Sequence, residues 1–234
     1  LALSPRVVGP VLLMWGLSVV ILVWQRDLGT AVLFFIVFLV LLYVASGYSL
    51  ILVSGTLLIL VAGIIAYREF SVVQLRVDIW LNPWPEADNR AFQIVQSLLA
   101  FAAGGIFGQG VGQGSPTYIP VVHSDFAFAA IAEEWGLLGL VVVVVCLATL
   151  FTRGLRISVQ QTGRPFRALL AVGLSTLLAA QSLLITGGVL KVLPLTGVTL
   201  PFLSYGGSSL LASFVMVGLL LRLSVPEADY AVHP

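Results

Sequence analysis

Six long, nearly uncharged apolar runs constrain this chain more than any other feature. They cover residues 7–24, 28–45, 48–66, 126–151, 168–188 and 208–221. A run of about 20 apolar residues, coiled as a helix, matches the hydrocarbon thickness of a bilayer. In that medium every backbone amide must find its partner inside the segment, so such a run becomes a helix. Composition agrees: 59% of the 234 residues are hydrophobic and 9% are charged, where a water-soluble domain carries about 25% charged residues. The expected fold is an all-α polytopic membrane protein with six transmembrane helices, forming a single membrane domain over 1–234. A further run, 91–107, is shorter and carries Gln93, Gln96, Ser97, Gly104 and Gly105. It predicts an interfacial or re-entrant helix rather than a seventh span.

The few charges orient the spans and exclude classes of function. A net charge of +1 argues against a nucleic-acid partner, which needs clustered Lys and Arg. The single cysteine, Cys146, lies in an apolar run, and His123 and His233 are far apart. Neither an internal disulfide nor a Cys or His metal set is expected. The chain opens on Leu1 with no signal-peptide pattern, so the apolar runs are structure, and the natural chain is expected to begin further upstream. The loop 152–167 holds Arg153, Arg156, Arg164 and Arg167 without an acidic residue. Basic loops stay in the cytoplasm, which puts both ends inside and the segments 67–125 and 191–207 outside. The outer loop 67–125 is long, and loops of that length tend to carry function.

Four polar clusters flank the apolar runs, where ionisable groups are costly and mark functional candidates. His123-Ser124-Asp125 stands at the junction between the outer loop and the fourth run. Asp125 there is either an N-cap or an outward-facing general base for a hydroxyl. Glu133 and Glu134 follow about 12 Å further along the expected helix; they are either a buried ion pair that fixes packing or part of the chemistry. The stretch from Lys191 to Ser209 holds two prolines, three glycines and five Ser or Thr residues, which suggests a re-entrant loop lining a cavity. Lys191, the one lysine, either holds a phosphate as a point charge or anchors a helix end. Arg26-Asp27 occupies a tight outer turn, where Asp27 reads as structural. Between these clusters, glycines alternate at Gly108, Gly110, Gly112 and Gly114. They make either a flexible connector or a backbone able to approach an anion closely.

Three of these stretches resemble motifs of one family. Gln25-Arg26-Asp27-Leu28-Gly29-Thr30-Ala31 resembles its Q-P-D-L-G-T-A turn. His123-Ser124-Asp125-Phe126, followed by Phe128-Ala129 and Glu133-Glu134-Trp135-Gly136, is similar to its H-T-D-F-x-F-A-x-x-x-E-E-x-G motif. The run from Pro194 through Thr196-Gly197 and Pro201 to Ser204-Tyr205-Gly206-Gly207-Ser208-Ser209 resembles its most specific signature. The family is the SEDS family of RodA, FtsW and SpoVE type. The chain departs from its pattern at Val121-Val122, where a glutamate is frequent, at Gln109, where a basic residue is common, and at Ser124 and Thr196.

The resemblance implies about ten spans with both ends in the cytoplasm. The six counted here would be the last six, and the family's N-terminal spans would be absent. It also implies a peptidoglycan glycosyltransferase of the bacterial cytoplasmic membrane, polymerising lipid II at the outer face for elongation or division. Asp125 would be the catalytic base. His123, Ser124, Lys191, Gly108, Gly110, Ser204, Tyr205, Gly206, Gly207 and Ser208 would contact substrate, with Asp27, Glu133 and Glu134 in support. Lys191, the glycine-rich backbone or a divalent cation (Mg or Mn) would offset the pyrophosphate charge. A class B penicillin-binding protein would be the partner. Two other readings are a flippase or transporter of the lipid-linked precursor, suggested by the broken loops and intramembrane acids, and a non-enzymatic scaffold for the penicillin-binding protein.

Overall fold

A computed structural model describes the chain at residues 5–161 and 163–225. The described residues form eight α-helices and two short 3-10 turns: α1 (Pro5–Trp24), α2 (Leu28–Ser46), α3 (Leu50–Glu69), α4 (Ser71–Leu81), α5 (Phe92–Gly104), α6 (Ala127–Gln160), α7 (Pro165–Val189) and α8 (Gly207–Ser224). The 3-10 turns are Trp84–Glu86 and Pro116–Tyr118. The protein is all-helical and polytopic, as expected. Five helices (α2, α3, α6, α7 and α8) are long and apolar enough to cross a membrane. In α1 the described apolar part is Leu12–Trp24, which falls short of that length.

The middle of the bundle is α7. Half of its apolar stretch is buried inside the protein, against 6% for α3, and it packs along both α6 and α2. Small residues allow the close approach. Gly154 of α6 lies against the Ser175 hydroxyl of α7, where any side chain would collide. Ser175 turns that hydroxyl back onto Ala171 O at 2.7 Å, so no polar group is stranded. One apolar core joins α2, α4, α5, α6, α7 and the loop around Val198 and Leu200. A second, smaller one joins α7 and α8 near the opposite end. Beside it the buried Gln161 donates to Leu223 O at 2.7 Å, satisfying a carbonyl at the end of α8.

Three expectations need correcting. The segment 67–125, expected as a loop with one interfacial helix, holds more helix than that: α3 continues to Glu69, and α4 follows after the single residue Phe70. That helix was not expected, because its apolar positions are too few to announce a span. The basic loop is also much shorter than 152–167. The last turns of α6 carry Arg153 and Arg156 out to Gln160 before the chain reverses into Pro165. Finally, the fourth run is not one uninterrupted helix. Gly136, at φ 64° and ψ −162°, breaks α6 in two. Straight, its 34 residues would extend about 51 Å, well beyond a hydrocarbon core of roughly 30 Å.

The break is a built junction. Glu133 O and Glu134 O, orphaned at the end of the first half, accept Gln109 N at 2.9 Å and Gly110 N at 3.0 Å. Leu137 N and Leu138 N, orphaned at the start of the second half, donate to Gly105 O at 2.9 Å and Ile106 O at 3.2 Å. An interrupted helix in an apolar setting persists only when its freed groups are paired again in this way.

Candidate active site

The three polar stretches singled out in the sequence meet at one end of the bundle, and the loop 190–206 is their hub. Its first anchor is α2. The Asp27 carboxylate caps this helix by accepting Thr30 N at 3.1 Å. Two residues after Asp27, Gly29 packs so closely on the Thr196 carbonyl that a side chain would collide with it. The second anchor is the turn before α6. Tyr205 N donates to His123 O at 2.7 Å, and the Ser204 hydroxyl donates to Ser124 O while accepting Leu200 N at 2.8 Å. The His123 ring meets the Tyr205 ring edge-on, with centroids 5.5 Å apart. Inside the bundle, Gln181 of α7 donates to Thr199 O at 2.8 Å, and the Thr199 and Ser209 hydroxyls share a bond of 2.6 Å.

Sequence reasoning missed the third anchor, α4. Arg76 donates to Thr196 O at 3.1 Å, and Trp80 donates its indole N–H to Lys191 O at 3.0 Å. Lys191 in turn reaches Leu81 O, at the end of α4, with its ammonium at 3.5 Å. The signal was present as Arg76 and Trp80 at i, i+4 spacing, which places them on one face of a helix. It carries no meaning until the segment is known to be helical.

Backbone strain collects at the same place. Among the described residues the non-glycine positions with positive φ are Arg26, Val121, Lys191 and Phe202. Each lies in or beside one of the three stretches. Such conformations cost about 1–3 kcal/mol and persist only where the surroundings enforce them, commonly at functional sites.

An open groove of about 610 Å³ lies between this hub and the start of α6. His123, Ser204, Tyr205, Gly206 and Gly207 line it, and Pro116, Ala130, Ile131, Leu203 and Leu210 supply apolar walls. Ser208 follows at the exposed first turn of α8. Asp125 and Ser124 are half-buried in the turn that carries His123, and neither is among the residues that line the groove. The Asp125 carboxylate is not an N-cap: Phe126 holds that position. Phe126 is also fully buried, which pins the turn to the core next to Asp125.

Gly108 and Gly110 stand away from the groove, packed against the break in α6. Their amides are already used, Gly108 N by Gly104 O at 2.7 Å and Gly110 N by Glu134 O at 3.0 Å. The glycine run does approach anionic groups, and they are the chain's own. Ser115 N donates to the Glu133 carboxylate at 2.8 Å, and Gly112 N donates to that of Glu134 at 3.1 Å. The alternative of a buried ion pair for these acids gives way to bonds with backbone amides. Among the described residues no three His, Cys, Asp or Glu side chains gather into a preformed cation site.

Comparison with known proteins decides the family. The family model described as cell cycle protein, covering FtsW, RodA and SpoVE, matches residues 2–228. The chain belongs to the FtsW/RodA/SpoVE family. It is 43% identical over 220 residues to the peptidoglycan glycosyltransferase RodA of Mycobacterium tuberculosis, covering 94% of this chain and 47% of that protein. With the probable peptidoglycan glycosyltransferase FtsW of Geobacter sulfurreducens it shares 35% over 217 residues, or 92% of this chain and 58% of the relative. Among solved structures it matches a chain from work on structural coordination of polymerization and crosslinking by a peptidoglycan synthase complex. The TM-score is 0.70 at 30% identity, over 89% of this chain and 58% of that one. The chain therefore spans about half the length of the curated relatives it matches. As a family member, it is a multi-pass membrane protein whose signature loop is the hub described above.

Proposed function

We propose that this chain carries the catalytic site of a peptidoglycan glycosyltransferase, which polymerises lipid II at the outer face of the bacterial cytoplasmic membrane. The observation that carries the reading is the stapling of the His123-Ser124-Asp125 turn to the Ser204–Gly207 loop at the rim of a largely apolar groove. A carboxylate beside a groove with apolar walls suits a substrate that is part sugar and part polyprenyl chain. Asp125 takes the proton of the acceptor sugar's 4-hydroxyl, and that oxygen attacks the anomeric carbon of the donor. The bond from that carbon to the pyrophosphate breaks, and the pyrophosphate leaves with its electron pair. Direct displacement inverts the linkage from α to β. A good leaving group needs no second carboxylic acid, unlike hydrolysis of an ordinary glycoside.

His123, Ser204, Tyr205, Gly206, Gly207 and Ser208 shape the acceptor side in this reading. Lys191 anchors α4 and retains donors for a phosphate. Gly108 and Gly110 serve the break in α6. The described part of α1 belongs to a sixth span, and the basic turn after α6 faces the cytoplasm. A class B penicillin-binding protein is the partner, in keeping with the synthase complex to which the fold is similar.

The test is polymerisation of lipid II by purified protein beside its Asp125→Asn form, on this chain and on a chain of the relatives' length. The expected result is glycan polymer from the parent and none from the variant, with unchanged thermal unfolding. Polymer from the Asp125→Asn form would remove Asp125 as the base. Transfer of labelled lipid II across sealed vesicles without polymer would replace the polymerase by a flippase.

A further inference from the structure

The two adjacent acids of α6 are not explained by the reaction above, and neither carboxylate lines the groove. Glu133 is buried with 7% of its surface exposed, in an apolar setting where a carboxylate is retained only with compensating bonds. Those bonds come from one loop. Ser115 N reaches the Glu133 carboxylate at 2.8 Å, Gly112 N reaches that of Glu134 at 3.1 Å, and a side chain at Gly114 would press on Glu133 Cγ and Cδ at 3.1 and 3.2 Å. The next residue after Ser115 is Pro116, which opens a 3-10 turn packed against α6 and is a wall of the groove. Ile131, two residues before Glu133 on α6, is another wall of the same groove.

We propose that Glu133 is a positioning residue for substrate: its carboxylate clasps Ser115 and so fixes Pro116 as one wall of the groove, with Glu134 fixing Gly112 as the second point of the clasp. The inference rests on the reading of the groove as the lipid II site. Glycines at 110, 112 and 114 make the loop able to wrap the carboxylates and leave it little rigidity of its own. Its shape is therefore set by the two anions. Bonds from backbone amides to a carboxylate are about twice as strong as neutral ones. Loss of the Glu133 side chain frees the wall, while a glutamine there keeps an acceptor oxygen and much of the geometry.

The experiment compares the parent chain with Glu133→Ala and Glu133→Gln in nanodiscs. It reads hydrogen exchange over 108–118, the Kd for fluorescently labelled lipid II, and kcat and KM for polymerisation. Expected are faster exchange at Gly112 and Ser115 in Glu133→Ala, a roughly tenfold rise in its Kd and KM, kcat within about twofold, and substantial rescue by Glu133→Gln. Faster exchange with unchanged Kd and KM would overturn the proposal, since the clasp would then be structural only. Equal loss of kcat in both variants with unchanged KM would overturn it in favour of direct chemistry. If the parent binds lipid II and neither it nor a chain of the relatives' length polymerises it, the polymerase reading fails while the Kd ratio still decides the clasp. No binding by the parent would overturn both.

Discussion

Gly29 shows what the small residues in these motifs are for. Its Cα sits against the Thr196 carbonyl with no room for a methyl group, so a glycine in the first motif is the condition for docking the third. The same logic separates two glycines of the glycine-rich run that look equivalent in sequence. Gly108 and Gly112 both have positive φ, 79° and 73°, but a side chain at Gly108 would collide with backbone of Glu134 whereas Gly112 faces open space. Gly112→Ala is expected to cost about 1–2 kcal/mol, the strain of a left-handed alanine. Gly108→Ala is expected to cost clearly more, because the break in α6 must move. Thermal unfolding of both variants in detergent checks the order, and equal melting temperatures would contradict it. Asp125, Glu133 and Glu134 were legible as candidates from residue type alone. Their surroundings were not, since a carboxylate reads identically in sequence whether it faces solvent or accepts a backbone amide.

At the scale of elements, the informative ones are those that sequence reasoning treated as loop or as plain span. Helix α4 holds the signature loop at Thr196 and Lys191 through Arg76 and Trp80. Replacing Arg76 by alanine strips a charged donor from the half-buried Thr196 carbonyl. The expected cost is about 1–3 kcal/mol, with faster amide exchange over 196–199. Exchange there equal to the parent's would show that α4 merely covers the loop. Helix α6 was legible as an apolar run but not as a broken one. Glycine is common inside membrane helices, and Gly136 becomes a break because loop 105–110 supplies both the donors and the acceptors that the halves lack. That pairing joins residues 24 apart (109 with 133, 110 with 134) and 32 apart (105 with 137, 106 with 138) in sequence, beyond the reach of any local pattern.

For the whole molecule, the three motifs are one object: the first and second dock on the third, and α7 holds the third from within the bundle through Gln181. The groove therefore belongs to the end of the bundle that bears the segment 67–125. Orientation is testable with a membrane-impermeant maleimide on intact spheroplasts, after replacing Cys146 by alanine. A cysteine at Tyr205, which is 78% exposed, is expected to react from outside. A cysteine at Gly163, in the turn between α6 and α7, is expected to react only after permeabilisation. The opposite pattern would invert the topology and remove the outer-face reading of the groove.

The sequence by itself determined the all-helical membrane class, the approximate spans and the three motifs. Bilayer thickness and the need to satisfy backbone groups in lipid act on each segment separately, so a linear reading is enough. The tertiary structure alone decided which motif touches which, where α6 breaks, what the glycine run binds and which residues share a groove. Each of those depends on pairing between distant segments, and a carbonyl or amide shows no trace in the sequence of the partner it will find.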